Sequence, residues 1–326
     1  MNKDAYYNRT ICDDLFKKFK EGGELRWIID YVNKKDCLDF QTGSNKRDSW
    51  FSIYRGTGRV LTINIKKGIL TFNASKAYKV LNPTFYTKPT EEEFDRLLAR
   101  IEEAENLTRY YNETNEGYYQ TLIGRRYCLD CKENDEFVIF DKEFILGYDS
   151  KGIREKCTKD IVSKYQGIID KLKKGDDAWT KNLEQTGNEC DFVAINSKGD
   201  IILIELKHAK NTLGVSLSPL QVDKYADLLS KYLGQREGLN KKDFEEVVLN
   251  MIAQKIELGI LNPKWEIPKK LSGTILRYVV CGSRNIEKYP TKEAKRRFCE
   301  VRRVVKKEDI KLFACDNDGN LIDLGI

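Results

Sequence analysis

The chain has 326 residues, enough for two domains or one large one, and a composition of 40% hydrophobic and 33% charged residues excludes a disordered polymer. Its 57 Lys and Arg against 51 Asp and Glu leave a net charge of +6, a mild excess that permits a polyanionic partner without requiring one. No apolar run approaches the roughly 18 residues of a membrane span, the N-terminus Met-Asn-Lys-Asp-Ala-Tyr-Tyr has no signal-peptide apolar core, and nine scattered cysteines make no secreted disulfide framework, so a soluble, cytoplasmic protein with reduced, mostly buried thiols is expected.

In chain order, a helical start is predicted over Arg9 to Val32. Three short strand-like runs follow, Trp50 to Tyr54, Arg59 to Ile65 and Ile69 to Phe72. Gly56, Gly58 and Gly68 punctuate them, and an antiparallel meander is expected. After Pro83 and Pro89, the apolar spacing of Phe94, Leu97, Leu98 and Ile101 predicts a helix over Glu91 to Glu105, and the polar stretch Asn106 to Gly117 reads as a hinge or surface loop. Phe137 to Phe140 reads as a strand and Gly147 to Gly152 as a turn. An amphipathic helix is predicted over Ile153 to Lys174, then a hairpin around residue 198. A helix opened by Ser218-Pro219 comes next, followed by a helix over Lys242 to Leu258. The strand Ile275 to Cys281, a basic helix from Thr291 to Val305 and a strand Lys311 to Cys315 close the set. No internal repeat or low-complexity tract is present.

The hairpin carries the most information. Ile201 to Ile204 is apolar on both faces, as in a strand covered on both sides, yet the strand ends in Glu205-Leu206-Lys207. Alternate residues of a strand share a face, so Glu205 and Lys207 point one way, and so do Glu189 and Asp191 on the partner strand. If the turn centres on Lys198, Asp191 falls opposite Glu205. Opposed carboxylates repel. A divalent cation between them removes that repulsion, and an ion pair of Lys207 with Glu205 or Asp191 is the metal-free alternative.

Asp191, followed fourteen residues later by Glu205-Leu206-Lys207, resembles the D…(D/E)-x-K signature of the PD-(D/E)XK nuclease superfamily, here without the proline before the aspartate. Gln221-Val222-Asp223-Lys224-Tyr225 resembles the Q-x-x-x-Y element of its exonuclease-like branch. These motifs span about 40 residues of the chain. The resemblance implies an α/β fold with a restriction-endonuclease-like core, a central mixed β-sheet flanked by helices, over residues 151–326. Residues 1–150 would then form an N-terminal α+β domain for recognition, an effector or a partner. It implies Mg²⁺ or Mn²⁺ held by Asp191, Glu205 and the Leu206 carbonyl, with Lys207 orienting the attacking water or stabilising the transition state. Gln221 would hold Lys207 or a metal-bound water, and Tyr225 would meet the nucleic-acid backbone. Glu189 would be a further acid near the metal or else a solvated residue, and Glu155 is the candidate for a glutamate that relatives carry on a preceding helix.

Around this motif, Arg296, Arg297, Arg302 and Arg303 head the most basic segment, which suits phosphate tracking or a solvated helix face. His208 is the only histidine, which excludes a His-dependent triad and a multi-His zinc site. Cys128 and Cys131 have CxxC spacing but no second pair, and read as two ordinary thiols. The expected function is Mg²⁺-dependent phosphodiester hydrolysis with DNA as the substrate, RNA as the other candidate, no membrane, and a homodimer as an admissible assembly. Two rivals stand beside it, a non-cleaving nucleic-acid or partner-binding protein on the same fold and an effector-regulated nuclease of prokaryotic defence.

Overall fold

The computed structural model describes residues 5–45, 48–79, 81, 89–104, 109–175, 178–181, 183, 187, 189–234 and 239–326. The expected features at Pro83 and Asn106 lie outside them. The architecture is α/β, with two sheets among the described residues. In the N-terminal part, α1 (Asp13–Phe19) and α2 (Arg26–Asn33) precede an antiparallel sheet in the order β1 (Asp39–Ser44), β2 (Ser49–Arg55), β3 (Gly58–Lys66), β4 (Ile69–Asn73). A short α3 (Lys76–Lys79) and the amphipathic α4 (Glu91–Glu103), capped by Thr90, follow. The helical start expected over Arg9 to Val32 consists of two helices, because the chain turns at Gly22 with φ +75°. The expected meander gains β1 as a fourth strand.

The second sheet is six-stranded and mixed, in the order β10-β9-β8-β7-β6-β5. Its strands are β5 (Phe137–Phe144), β6 (Cys190–Asn196), β7 (Ile201–His208), β8 (Ile275–Gly282), β9 (Lys311–Cys315) and β10 (Leu321–Asp323). β7, β8 and β9 run parallel, and the other neighbours are antiparallel. Around them lie α5 (Glu116–Arg126), α6 (Lys151–Lys173), α7 (Thr212–Gly234), α8 (Leu239–Glu257) and α9 (Lys292–Val305). β5 precedes residue 150 and hydrogen-bonds to β6 beyond it, so this sheet draws strands from both sides of the expected boundary.

Both faces of the sheet are covered. Ile202, Ile204 and Leu206 pack with Tyr119, Ile123 and Tyr127, the last two turns of α5 and its end. Ile201 and Leu203 pack on the opposite side with Val215, Val222, Tyr225 and Ala226 of α7. α5 lay hidden in a stretch that reads as polar up to Gly117. It is buried on several sides at once and so has no amphipathic stripe to betray it.

α7 starts at Thr212, six residues before the predicted Ser218-Pro219 opening. Asn211 supplies the cap, its Oδ1 accepting from Gly214 N at 2.9 Å. Pro219 therefore lies inside the helix, where it leaves the Val215 carbonyl without its usual donor, and the Ser218 hydroxyl donates to that carbonyl at 2.7 Å. The helix is thereby continuous through the proline.

Asp223, in the middle of the Gln221–Tyr225 run, is wholly buried. Its Oδ2 accepts from the Tyr165 hydroxyl of α6 at 2.6 Å, and its Oδ1 stands 2.8 Å from the Arg277 guanidinium of β8. One carboxylate thus ties α7 to α6 and to the sheet. Asp223→Ala strands a buried arginine and is expected to lower stability by about 3–5 kcal/mol, read as a drop in the urea unfolding midpoint. Among the described residues no helix is long and apolar enough to cross a membrane.

Candidate active site

The hairpin turn is set by Asn196, whose Oδ1 accepts from Lys198 N at 3.0 Å and Asp200 N at 2.9 Å, while Gly199 takes φ +83°. The β6/β7 register follows from that turn. Phe192 pairs with Ile204 and Val193 with Leu203, and the same register carried one residue further sets Asp191 level with Glu205. Alternation puts Asp191, Glu205 and Lys207 on the α7 face.

Glu205 is 2% exposed. Its Oε1 accepts from Lys207 Nζ at 2.5 Å, and its Oε2 is buried without a hydrogen-bond partner. Lys207 Nζ also donates to the Leu206 carbonyl at 2.8 Å, and Asp191 Oδ2 accepts from Leu206 N at 2.7 Å. Burial pushes Asp191 up to about 6, against the pull of Lys207 and of the Leu206 amide. Glu205 is raised well above the carboxylate range, first by burial and then by the Asp191 charge. Lys207 is raised as well. Burial opposes its charge, but Glu205, Asp191 and Glu116 together outweigh burial, so Lys207 stays an ammonium.

Glu116 was not foreseen. It is the first residue of α5, and its Oε1 accepts from His208 N at 3.3 Å while its Oε2 lies 4.0 Å from Lys207 Nζ. An acid directly after Asn115 is a helix-start signal, but the polar run before it masks the helix. Glu143 was missed too. The β5/β6 pairs Lys142–Phe192 and Phe144–Cys190 leave it level with Asp191, and its charge helps raise Asp191. Its own carboxyl is pushed up by burial.

Whether these groups suit a divalent ion is a matter of donor chemistry. Asp191, Glu205 and the Leu206 carbonyl form an all-oxygen set, which matches Mg²⁺ or Mn²⁺ rather than zinc. The unpartnered Glu205 Oε2 is a buried acceptor of the kind an ion satisfies. Among the described residues no three or more His, Cys, Asp or Glu side chains gather as a metal-holding group, so an ion here would rest on two carboxylates, one carbonyl and water. The residues fit such an ion on those terms.

Of the other predicted residues, Tyr225 is buried on α7. Its hydroxyl has no well-formed hydrogen bond, and burial with the charges of Glu205 and Asp191 raises its pKa. Gln221 acts on that hydroxyl rather than on Lys207, whose donors are engaged by Glu205 and Leu206. Glu189 is exposed just before β6, and its charge bears on Glu143. Glu155 is on the surface of α6, 3.7 Å from Lys151, and lines a cavity of about 150 Å³ with Tyr225; the helix glutamate beside Lys207 is Glu116 instead.

The basic helix is less free than its sequence suggests. Arg296 pairs with Glu293 and Glu300, and Arg297 pairs with Glu293 at 2.6 Å and covers the Trp179 ring. Arg302 donates to the Ile310 carbonyl, and Arg303 is exposed. Lys295 of the same helix acts on the Cys281 thiol, which is level with Lys207 on β8. His208 faces Tyr119, away from Glu205. All nine cysteines are free, but only four are buried, short of the expected majority. Cys128 donates to the Ile260 carbonyl, and burial raises Cys131 to about 11, so neither is a ready thiolate. Comparison with protein-family models, curated proteins and solved structures finds no match to this chain.

Proposed function

We propose that the chain is a divalent-metal-dependent nuclease built on a restriction-endonuclease-like core of the PD-(D/E)XK type, hydrolysing phosphodiester bonds in DNA, with RNA as the other substrate class. The observation that carries this reading is Glu205, a fully buried carboxylate with one oxygen unpartnered, level with a second carboxylate and hydrogen-bonded to a lysine on the same face. On a strand buried on both faces that free oxygen is an unmet acceptor, which a bound cation would satisfy.

Asp191, Glu205 and the Leu206 carbonyl would hold Mg²⁺ or Mn²⁺. Such an ion supplies a more acidic bound water and neutralises phosphoryl oxygens. Lys207, held as a cation by three acids, would release Glu205 Oε1 and turn its charge to the scissile phosphate. Glu116, 4.0 Å away, offers the ammonium a second carboxylate to lean on as it moves. Gln221 and Tyr225 close the α7 side of the site and exclude bulk water.

The direct Lys207–Glu205 contact favours one rival, a non-cleaving binding protein in which the lysine permanently neutralises the glutamate. Incubation of supercoiled, linear and single-stranded DNA with the protein, with Mg²⁺, with Mn²⁺ and with EDTA, beside Glu205→Gln, separates them. Metal-dependent products with wild type and none with the variant are expected. Tight binding with no product under any metal condition establishes the rival. Equal cleavage by Glu205→Gln sinks the proposal.

A further inference from the structure

Beside Glu116 the structure holds a run of aromatic rings that the chemistry above does not use. Tyr118, two residues along α5, is partly exposed. Its ring centroid lies 5.3 Å from that of Tyr111 and 5.2 Å from that of Tyr119. Tyr119 in turn stands 5.9 Å from His208, the residue after Lys207. The Tyr119 ring is seated on Gly282, where any Cβ would lie 2.2 Å from a ring carbon, so the innermost ring of the run is held rigidly.

At the far end, the Arg55 guanidinium covers Tyr111 at 4.8 Å. Arg55 is only 9% exposed, yet among the described residues no carboxylate or carbonyl accepts a hydrogen bond from its side chain. The other described arginines buried to that degree are engaged: Arg9 by Asp141, Arg277 by Asp223, and Arg125 by four carbonyls at the end of α2 and beyond. The Arg55 guanidinium, stacked on Tyr111 and without a carboxylate among the described residues, keeps its planar donors for an anion such as a phosphate. On the other side of His208, Lys210 is exposed and continues the positive charge.

Resting on the nuclease reading, we propose that this run is the track of an unpaired polynucleotide strand. A base stacks on Tyr118, Arg55 above Tyr111 takes a phosphate, and the strand continues past Glu116 to Lys207. The observations favour an unpaired strand over a duplex because stacking on a protein ring needs an open base face. In a duplex neighbouring bases cover those faces and only edges are presented. Recessed Arg55 likewise suits a flexible backbone that can enter the groove. DNA and RNA share this chemistry, so the sugar is decided by experiment.

The test is binding in EDTA, where nothing turns over. Fluorescence anisotropy compares labelled single-stranded DNA, single-stranded RNA of the same sequence and the DNA duplex, for wild type, Tyr118→Leu and Arg55→Met. A single strand is expected to bind at least about tenfold tighter than the duplex, and each variant to weaken it about tenfold, the scale of one lost base stack. Whichever of DNA and RNA binds more tightly names the substrate sugar, and equal affinity assigns recognition to bases and phosphates alone. Where Arg55→Met lowers the melting temperature, Arg55→Lys is read instead: it keeps the charge, loses the flat guanidinium and is expected to bind between the two. Duplex binding as tight as single-strand binding overturns the proposal, as does no binding of any strand or unchanged affinity in both folded variants. Single-strand binding that depends on Tyr118 without cleavage under any metal condition keeps the track and removes the nuclease. Cleavage of duplex by Tyr118→Leu at the wild-type rate does the reverse.

Discussion

Lys207→Ala is expected to lower the single-turnover rate of metal-dependent cleavage by about 10²–10³, the loss typical of one charge-stabilising donor at a transition state. Three acids hold this ammonium charged, with the closest oxygen at 2.5 Å, so no general-base role is open to it near neutral pH. Lys207→Arg keeps the charge but replaces a compact ammonium by a wider fork, and should recover only part of the rate. Melting temperature measured beside the rate separates chemistry from structure. If the lysine merely neutralises Glu205, the alanine variant leaves a buried carboxylate alone, and a large loss of stability accompanies no cleavage in wild type at all. Full wild-type cleavage by Lys207→Ala would remove Lys207 from the mechanism.

Asp191→Asn is expected to stabilise the metal-free protein at neutral pH. The Asp191 carboxyl is raised from 3.8 to about 6 by burial, which means that folding disfavours its charged form. Each pKa unit is worth about 1.36 kcal/mol, so ionised Asp191 costs the fold up to about 3 kcal/mol, less what its partial exposure screens away. The sign follows from linkage. A carboxyl raised in the folded state contributes stability below pH 3.8 and loses that contribution as pH rises through about 6. The gain from asparagine should therefore be near zero at pH 4, grow between pH 4 and 6, and be complete above it. The Leu206 amide keeps an acceptor in the asparagine oxygen, so the change removes charge without removing that hydrogen bond. Mg²⁺ or Mn²⁺ acts on the same repulsion. Wild type should melt higher with the ion at pH 7.5, the shift should fade towards pH 5 as protons compete for Asp191, and Asp191→Asn should show little of it. A variant less stable than wild type at pH 7.5 would show that Asp191 is a structural anchor rather than a strained ligand.

The two ends of the Gln221–Tyr225 run illustrate how one helix serves two tasks. Tyr225 feels the charge of Glu205 and Gln221, one turn away, acts on the Tyr225 hydroxyl, whereas Asp223 between them faces Arg277 and Tyr165 and secures the helix to the sheet. Loss of cleavage in an Asp223 variant would thus follow loss of folding, and the urea midpoint identifies it.

Local pattern alone determined that residues 191 to 207 form a hairpin, that Ile201 to Ile204 is covered on both faces, and that Asp191 comes level with Glu205, since a period of two and an Asn-Ser-Lys-Gly turn are short-range properties of the chain. The same kind of signal marked the helices at 91, 151, 239 and 292 and the parallel strands at 275 and 311. Pattern could not reveal α5, because a helix enclosed on several sides loses its periodicity, and with α5 went Glu116. Nor could it show that Pro219 lies within α7, since the Ser218 hydroxyl that answers the freed Val215 carbonyl is indistinguishable in sequence from a helix cap. Tertiary structure alone decided that β5 joins a sheet begun on its far side, bringing Glu143 level with Asp191, and that the arginines of α9 spend much of their charge on Glu293 and Glu300 while Arg55 pairs with no acid among the described residues. Long-range pairing sets where a charge ends up and what surrounds it, and desolvation, which governs the pKa of Asp191 and Glu205, exists only once the chain has packed.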